Sequence, residues 1–217
     1  MKSRSDAASR QQGFAGYGID LRARKSWSLW GPDTPLRTTT LSPPELCLQS
    51  NPSNPPFPHG SFLIGNHADE LTPWIPLLAA LVPESAFLNM PCCLHTLTER
   101  FNRGEYSIDE ELIASSPTLI KNDLQEYQSL SGDNKGRYAA YLKYIAELTL
   151  KAGWRLQREA LRVPSTKNWA FVGRNRIWDG TSDQEIGKEC AIKDWIKDIA
   201  SRKLEDWKPR SSEGKDH

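Results

Sequence analysis

A short apolar run that stops in a cluster of polar side chains constrains this chain more than any other feature. Phe62-Leu63-Ile64 is bounded by Gly60 and Gly65, and an apolar run between glycines predicts a buried strand. Asn66, His67, Asp69 and Glu70 follow at once, and then Leu71-Thr-Pro-Trp-Ile-Pro-Leu-Leu-Ala-Ala-Leu81. Thr72 suits a helix N-cap and Pro73 the first helical position. A strand that ends in polar residues and turns into a helix is how open α/β sheets place ligands at their carboxyl edge. Helix capping and bound water would account for one such residue more readily than for four.

The rest of the chain supplies the partners of that strand. Residues 1–12 read as a helix remnant or a frayed tail, and Tyr17 to Ile19 as a short strand closing on Asp20. Leu21 to Trp30 is a basic stretch that includes Arg24 and Lys25, with Trp27 and Trp30 three apart on one helix face. Tryptophan packing beneath solvated cations is one reading of it, and contact with an RNA backbone through Arg24 and Lys25 is the other. Leu41 to Leu48 is read as containing a short strand, and Ser50 to Pro58 as a loop, because its prolines remove donors and restrict φ. Ser85 to Pro91 predicts a second buried strand ending at Pro91-Cys92-Cys93-Leu94-His95.

Residues 98–136 are charged and read as an insertion with a helix or two. Arg137 to Ala152 carries Ala139, Leu142, Ile145 and Leu148 at helical steps, and Gly153 supplies the stop. Trp154–Leu161 and Asn168–Gly173 predict a closing pair of strands, and Gln184–Leu204 a polar helix with Ile192, Trp195 and Ile199 on its apolar stripe. The order predicts an α/β protein with a mostly parallel sheet. Its domain spans residues 13–180, followed by a C-terminal helix over 181–207 and a disordered tail over 208–217.

Composition narrows the function. A net charge of +1 leaves no global field to draw the chain to nucleic acid or membrane. No apolar run approaches the roughly 20 residues of a membrane span, and no secretory h-region precedes the polar N-terminus. The four cysteines, Cys47, Cys92, Cys93 and Cys190, form no C-x-x-C. The expectation is therefore free thiols in a reducing compartment, the cytoplasm, and no metal.

Several chemistries fit the polar residues. Asp20 at a strand end suits a pair of sugar hydroxyls. His67, Asp69 and Glu70 suit a general base and its orienting partners. A metal site of His67, Asp69 and His95 has the right ligand types without diagnostic spacing. Cys93 as nucleophile with His95 or His67, as in a hydrolase, is a third option; inert buried thiols are the plainer reading of both cysteines.

Tyr17-Gly-Ile-Asp-Leu-Arg-Ala-Arg-Lys-Ser-Trp27, Leu63-Ile-Gly-Asn-His-Ala-Asp-Glu-Leu-Thr-Pro-Trp-Ile-Pro76, Pro91-Cys-Cys93 and Leu161-Arg-Val-Pro-Ser-Thr-Lys167 occur in this order. Together they resemble the eukaryotic tRNA (uracil-2′-O-)-methyltransferase family, which modifies uridine-44 of serine tRNA. The resemblance implies a class I, Rossmann-like, S-adenosylmethionine-dependent methyltransferase sheet. It implies Asp20 and Asn66 at the cofactor, and His67, Asp69 and Glu70 at the reacting groups. Arg162 and Lys167 would meet RNA phosphate, as would Arg24 and Lys25. The family also carries a glycine-rich loop after its first strand, and nothing before Gly13 reads as that strand and loop. The expectation is thus a sheet lacking both, with a partner chain as one source of the missing strand. The alternative to a tRNA methyltransferase is a catalytically inactive, RNA-binding relic of one.

Overall fold

The computed structural model describes residues 15–31, 33–102, 136–163, 167–177 and 182–209. They fall into two compact units, one drawn from residues 1–42 and 208–217, the other from residues 43–207.

In the smaller unit, strand β1 (Gly18–Asp20) pairs in parallel with β2 (Leu36–Thr38), Asp20 opposite Thr38. Between them lies a 3-10 helix, Lys25–Leu29, with no buried residue. The predicted strand at Tyr17–Ile19 is thus present, shifted by one residue. Of the basic stretch only Lys25–Leu29 is helical, as that 3-10 segment, and both tryptophans are half-buried.

The larger unit is built on a four-stranded sheet in the order β3–β4–β6–β5, from Phe62–Asn66, Ala86–Met90, Trp169–Gly173 and Gln157–Ala160. β3 and β4 are parallel, whereas β6 runs antiparallel to both of its neighbours. The sheet is therefore mixed: β3, β4 and β5 run one way, as the prediction of a mostly parallel sheet has it, and β6, between β4 and β5, runs the other. The β5–β6 pair is antiparallel because a loop of only eight residues, 161–168, joins them, and two strands so joined turn back on each other, whereas parallel neighbours need a crossover of a dozen residues or more.

Helix α1 (Pro43–Gln49) occupies the stretch read as a strand. Prolines at the first turn remove only donors that a helix leaves unused, so Pro43-Pro44 starts this helix, and Cys47 enters the core from it. The segment after β3 is a 3-10 helix, Asp69–Trp74, running into α2 (Ile75–Ala80). Thr72 lies within that 3-10 helix and is fully buried, so it is not a cap; Trp74 holds the N-cap position of α2, and Pro76 lies in its first turn. β3 is not buried either: it pairs with β4 on one side, and Phe62 and Ile64 are 49% and 41% exposed on one face. Among the described residues no strand pairs with the other edge of β1 or β3.

Helix α3 (Arg137–Lys151) forms where the apolar steps predict it, and Gly153 follows at φ +80°. Helix α4 (Asp183–Lys203) opens on a capping box between Ser182 and Glu185 and packs on α1. Its fully buried residues are Ile196 and Ala200, while Ile192, Trp195 and Ile199 are the partly buried flank of that stripe. Most of the predicted insertion and of the C-terminal tail lies outside the described residues.

The core is tied across elements by indole groups. Trp154 donates from Nε1 to the carbonyl of Pro76 at 3.0 Å and meets Phe87 of β4 edge-on at 5.4 Å. Trp74 donates from Nε1 to the Leu97 carbonyl at 2.9 Å and faces Trp207 edge-on. These bonds attach the start of α2 to the residues after α3 and after β4.

Candidate active site

Register sets the site. Asn66, the last residue of β3, pairs with Met90, the last residue of β4. The two parallel strands therefore end at the same level, and the residues that follow them, His67 to Glu70 and Pro91 to Cys93, share one rim of the sheet.

The turn after β3 is backbone-strained. His67 and Asp69 both adopt left-handed φ values, 52° and 48°, on either side of Ala68, which is right-handed and buried. Such conformations cost non-glycine residues about 1 kcal/mol or more each and cluster at functional sites, with Asn, Asp and His the types that best tolerate them. Two steric demands just before the turn hold it. A Cβ on Gly65 would overlap Ile75 Cδ1 and lie 2.9 Å from Asn89 Oδ1. Only glycine lets α2 close onto β3 here. Asn89, fully buried on β4, donates from Nδ2 to the Thr72 carbonyl at 2.8 Å and so pins the 3-10 helix to the neighbouring strand.

The strained turn brings Asp69 to the two cysteines after β4. A carboxylate oxygen of Asp69 and the sulfurs of Cys92 and Cys93 all lie within 4.8 Å of one another, and all three residues are half-buried. The two sulfurs are 3.8 Å apart. Cys92 is drawn down to about 6, chiefly by its hydrogen bond with Cys93 and further by the imidazole of His67, against the opposing effect of burial. Cys93 is pushed well up by the same contact with Cys92, by burial and by Asp69. The pair thus shares its acidity unequally, with negative charge favoured on the sulfur that faces His67.

Two groups fix the carbonyls of this segment. Lys167 Nζ donates to the Cys92 carbonyl at 2.7 Å, and Tyr138 Oη donates to the Pro91 carbonyl at 3.0 Å. Burial raises the Tyr138 hydroxyl, which keeps it a donor.

His67, Asp69 and Lys167 are thus brought to one rim, with Asn66 at the strand end beneath them. Arg162 is exposed in the loop after β5. In the smaller unit, the Asp20 carboxylate accepts from Arg24 Nε at 3.0 Å and Nη2 at 3.2 Å, a two-pronged ion pair, and Lys25 is exposed on the 3-10 helix. The part of Cys92 and Tyr138 in this arrangement was missed by sequence reasoning. Pro91-Cys-Cys past an apolar run was the available signal for the first, and Tyr138 had none, since it sits in a helix remote in sequence. His95 lies in a bridge with Arg100 and is not among the grouped residues. A cavity lined by Thr96, Leu97, Phe101, Tyr144 and Lys203 includes none of the candidate residues.

In this α/β domain adjacent parallel strands end together in imidazole, carboxylate and thiol groups, at the carboxyl edge where open α/β sheets place their ligands. By sequence the chain belongs to the tRNA (uracil-O(2)-)-methyltransferase family. It is 34% identical over 186 residues to the tRNA (uracil-O(2)-)-methyltransferase of Schizosaccharomyces pombe, covering 76% of this chain and 33% of that protein. Against the probable tRNA (uracil-O(2)-)-methyltransferases of Mus musculus and Homo sapiens the identities are 31% over 173 residues and 30% over 179, covering 79% and 82% of this chain. The chain spans only 19% of the length of each of those two relatives. No family model matches the chain, and no solved structure matches it. Among the described residues, no helix is long and apolar enough to cross a membrane.

Proposed function

We propose that this chain carries part of an S-adenosylmethionine-dependent enzyme that methylates the ribose 2′-oxygen of a uridine in tRNA, with uridine-44 of serine tRNA as the substrate position and the cytoplasm as its place of action. The observation that supports this best is the shared rim: the Asn66–Met90 register sets the strained His67–Asp69 turn beside Pro91–Cys93.

In the reaction the 2′-oxygen forms a bond to the methyl carbon as the sulfonium carbon–sulfur bond breaks, and the hydroxyl proton passes to a carboxylate. Asp69 or Glu70 is the proposed acceptor or its orienting acid, with His67 as the partner. A hydroxyl is a poor nucleophile at neutral pH, so this proton transfer matters. Most of the acceleration comes from holding oxygen, methyl and sulfur in line at near-attack distance. Asp20 is the proposed partner of the cofactor ribose, a role in which it exchanges Arg24 for sugar hydroxyls, and Asn66 contacts the cofactor. Arg162, Lys167, Arg24 and Lys25 are proposed to meet RNA phosphate.

Calorimetric titration with S-adenosylmethionine, followed by transfer of labelled methyl to serine tRNA, tests the reading. Binding and transfer are expected, and Asp69→Ala and Glu70→Ala in a full-length relative are expected to lower turnover. No heat at millimolar cofactor, or near-normal turnover in both variants, overturns it.

A further inference from the structure

We propose that Asp69, Cys92 and Cys93 form a site for one thiophilic divalent cation of the zinc class, with a fourth coordination position left open. Adjacent residues in an extended chain point to opposite sides, so two neighbouring cysteines do not ordinarily meet at one point. Here the chain leaves β4 at Pro91 and bends at Cys93, and both sulfurs turn to the same place.

The spacing fits an ion. Two sulfurs each about 2.3 Å from a tetrahedral centre stand roughly 3.8 Å apart, and the observed separation is 3.8 Å. A carboxylate oxygen bound beside them stands roughly 3.5 Å from each sulfur by the same geometry. The three ligand atoms already lie within 4.8 Å of one another.

The surroundings are those of a supported site. Ligands are held in place by groups one layer out, and here Lys167 and Tyr138 fix the carbonyls of Cys92 and Pro91. Asp69 is delivered to the two sulfurs by the turn after β3, from a left-handed backbone position. Three protein ligands plus one open position is the pattern of catalytic rather than structural zinc, and two thiolates select a soft metal over magnesium or calcium. The open position would take an oxygen ligand, such as water or a ribose hydroxyl, and His67 stands beside Cys92 at its border. A missing C-x-x-C does not argue against this, because the ligands come from two strand ends and not from one loop.

The full chain, reduced with a phosphine and freed of metal, is titrated with Co2+, which needs neither the methyl donor nor RNA. One equivalent is expected to bind and raise a near-ultraviolet thiolate-to-cobalt charge-transfer band that Zn2+ abolishes by displacement. Cys92→Ser and Cys93→Ser are each expected to diminish the band, and Cys190→Ser to leave it intact. Asp69→Asn, which keeps both sulfurs, should weaken Co2+ binding by roughly tenfold or more, with circular dichroism confirming that the variant folds. Absence of the band in the wild-type chain overturns the proposal, as does a band that survives loss of both Cys92 and Cys93, or an Asp69→Asn titration that matches wild type. Failure of methyl transfer with normal cobalt binding would sink only the methyltransferase reading, and the converse result only the metal site.

Discussion

Replacing Gly65 with alanine tests the packing that shapes the candidate site. The new Cβ would overlap Ile75 Cδ1, lie 2.9 Å from Asn89 Oδ1 and lie 3.4 Å from Ile75 Cγ1. Ile75 is 7% exposed and Asn89 fully buried, so neither has free space to move into. Inserting a methyl into such packing costs about 1–3 kcal/mol. The φ of Gly65 is not positive, so alanine suits the backbone and returns about 0.4–1 kcal/mol by restricting the unfolded chain. The net expectation is a loss of roughly 1–2 kcal/mol. Ile75→Val deletes Cδ1, the atom that clashes worst, and by itself costs about 0.5–1.5 kcal/mol. In the double variant the deletion makes room for the insertion. The two changes should therefore cost less together than their sum, by about 1 kcal/mol. Urea unfolding of wild type, both single variants and the double variant, followed by tryptophan fluorescence, measures the coupling. Additivity within about 0.3–0.5 kcal/mol would refute the claim that Gly65 is glycine because Ile75 lies against it.

Three further outcomes follow from the same geometry. His67 is exposed and left-handed, so His67→Gly should leave stability unchanged or raise it by up to about 1 kcal/mol; a drop in the urea midpoint would mean that its side chain holds the fold. Burial raises the Cys47 thiol from 9.0 to about 12, so its stabilising effect is complete below pH 9 and is lost as pH climbs toward 12. Wild type should then lose about 1.4 kcal/mol more than Cys47→Ala between pH 8 and pH 10, read from urea midpoints at the two pH values, and parallel losses would show that Cys47 does not titrate as a buried thiol. Trp154→Phe keeps an aromatic ring against Phe87 but removes the indole bond to the Pro76 carbonyl, and should cost about 0.5–1.5 kcal/mol; a neutral result in thermal unfolding would mean that the bond to Pro76 holds nothing.

The long elements were legible because their signals are local. Helix α3 announces itself in the steps from Ala139 to Leu148 and stops at Gly153, and the Ser50–Pro58 loop follows from missing donors. The errors have equally specific causes. Leu46-Cys47-Leu48 is too short to separate a strand from a helix by periodicity, and the decisive residues were the prolines ahead of it. In β3, Phe62-Leu63-Ile64 looks buried by composition, yet one face of the strand is half-exposed, which no local pattern encodes. On α4, Ile192, Trp195 and Ile199 do pack against the core, while the residues it buries fully, Ile196 and Ala200, lie one position further on.

From the chain alone one could read a strand closing on Asn66-His-Ala-Asp-Glu70, a second apolar run closing on Pro91-Cys-Cys93, and a family to which such strings belong. All of these depend on residues a few positions apart. Tertiary structure alone decided that Asn66 lies level with Met90, that Asp69 meets two sulfurs more than twenty positions away, and that Lys167 and Tyr138 brace them. Pairing register and strand direction are set by how distant segments bury their faces against each other, and that free energy is not carried by any one segment.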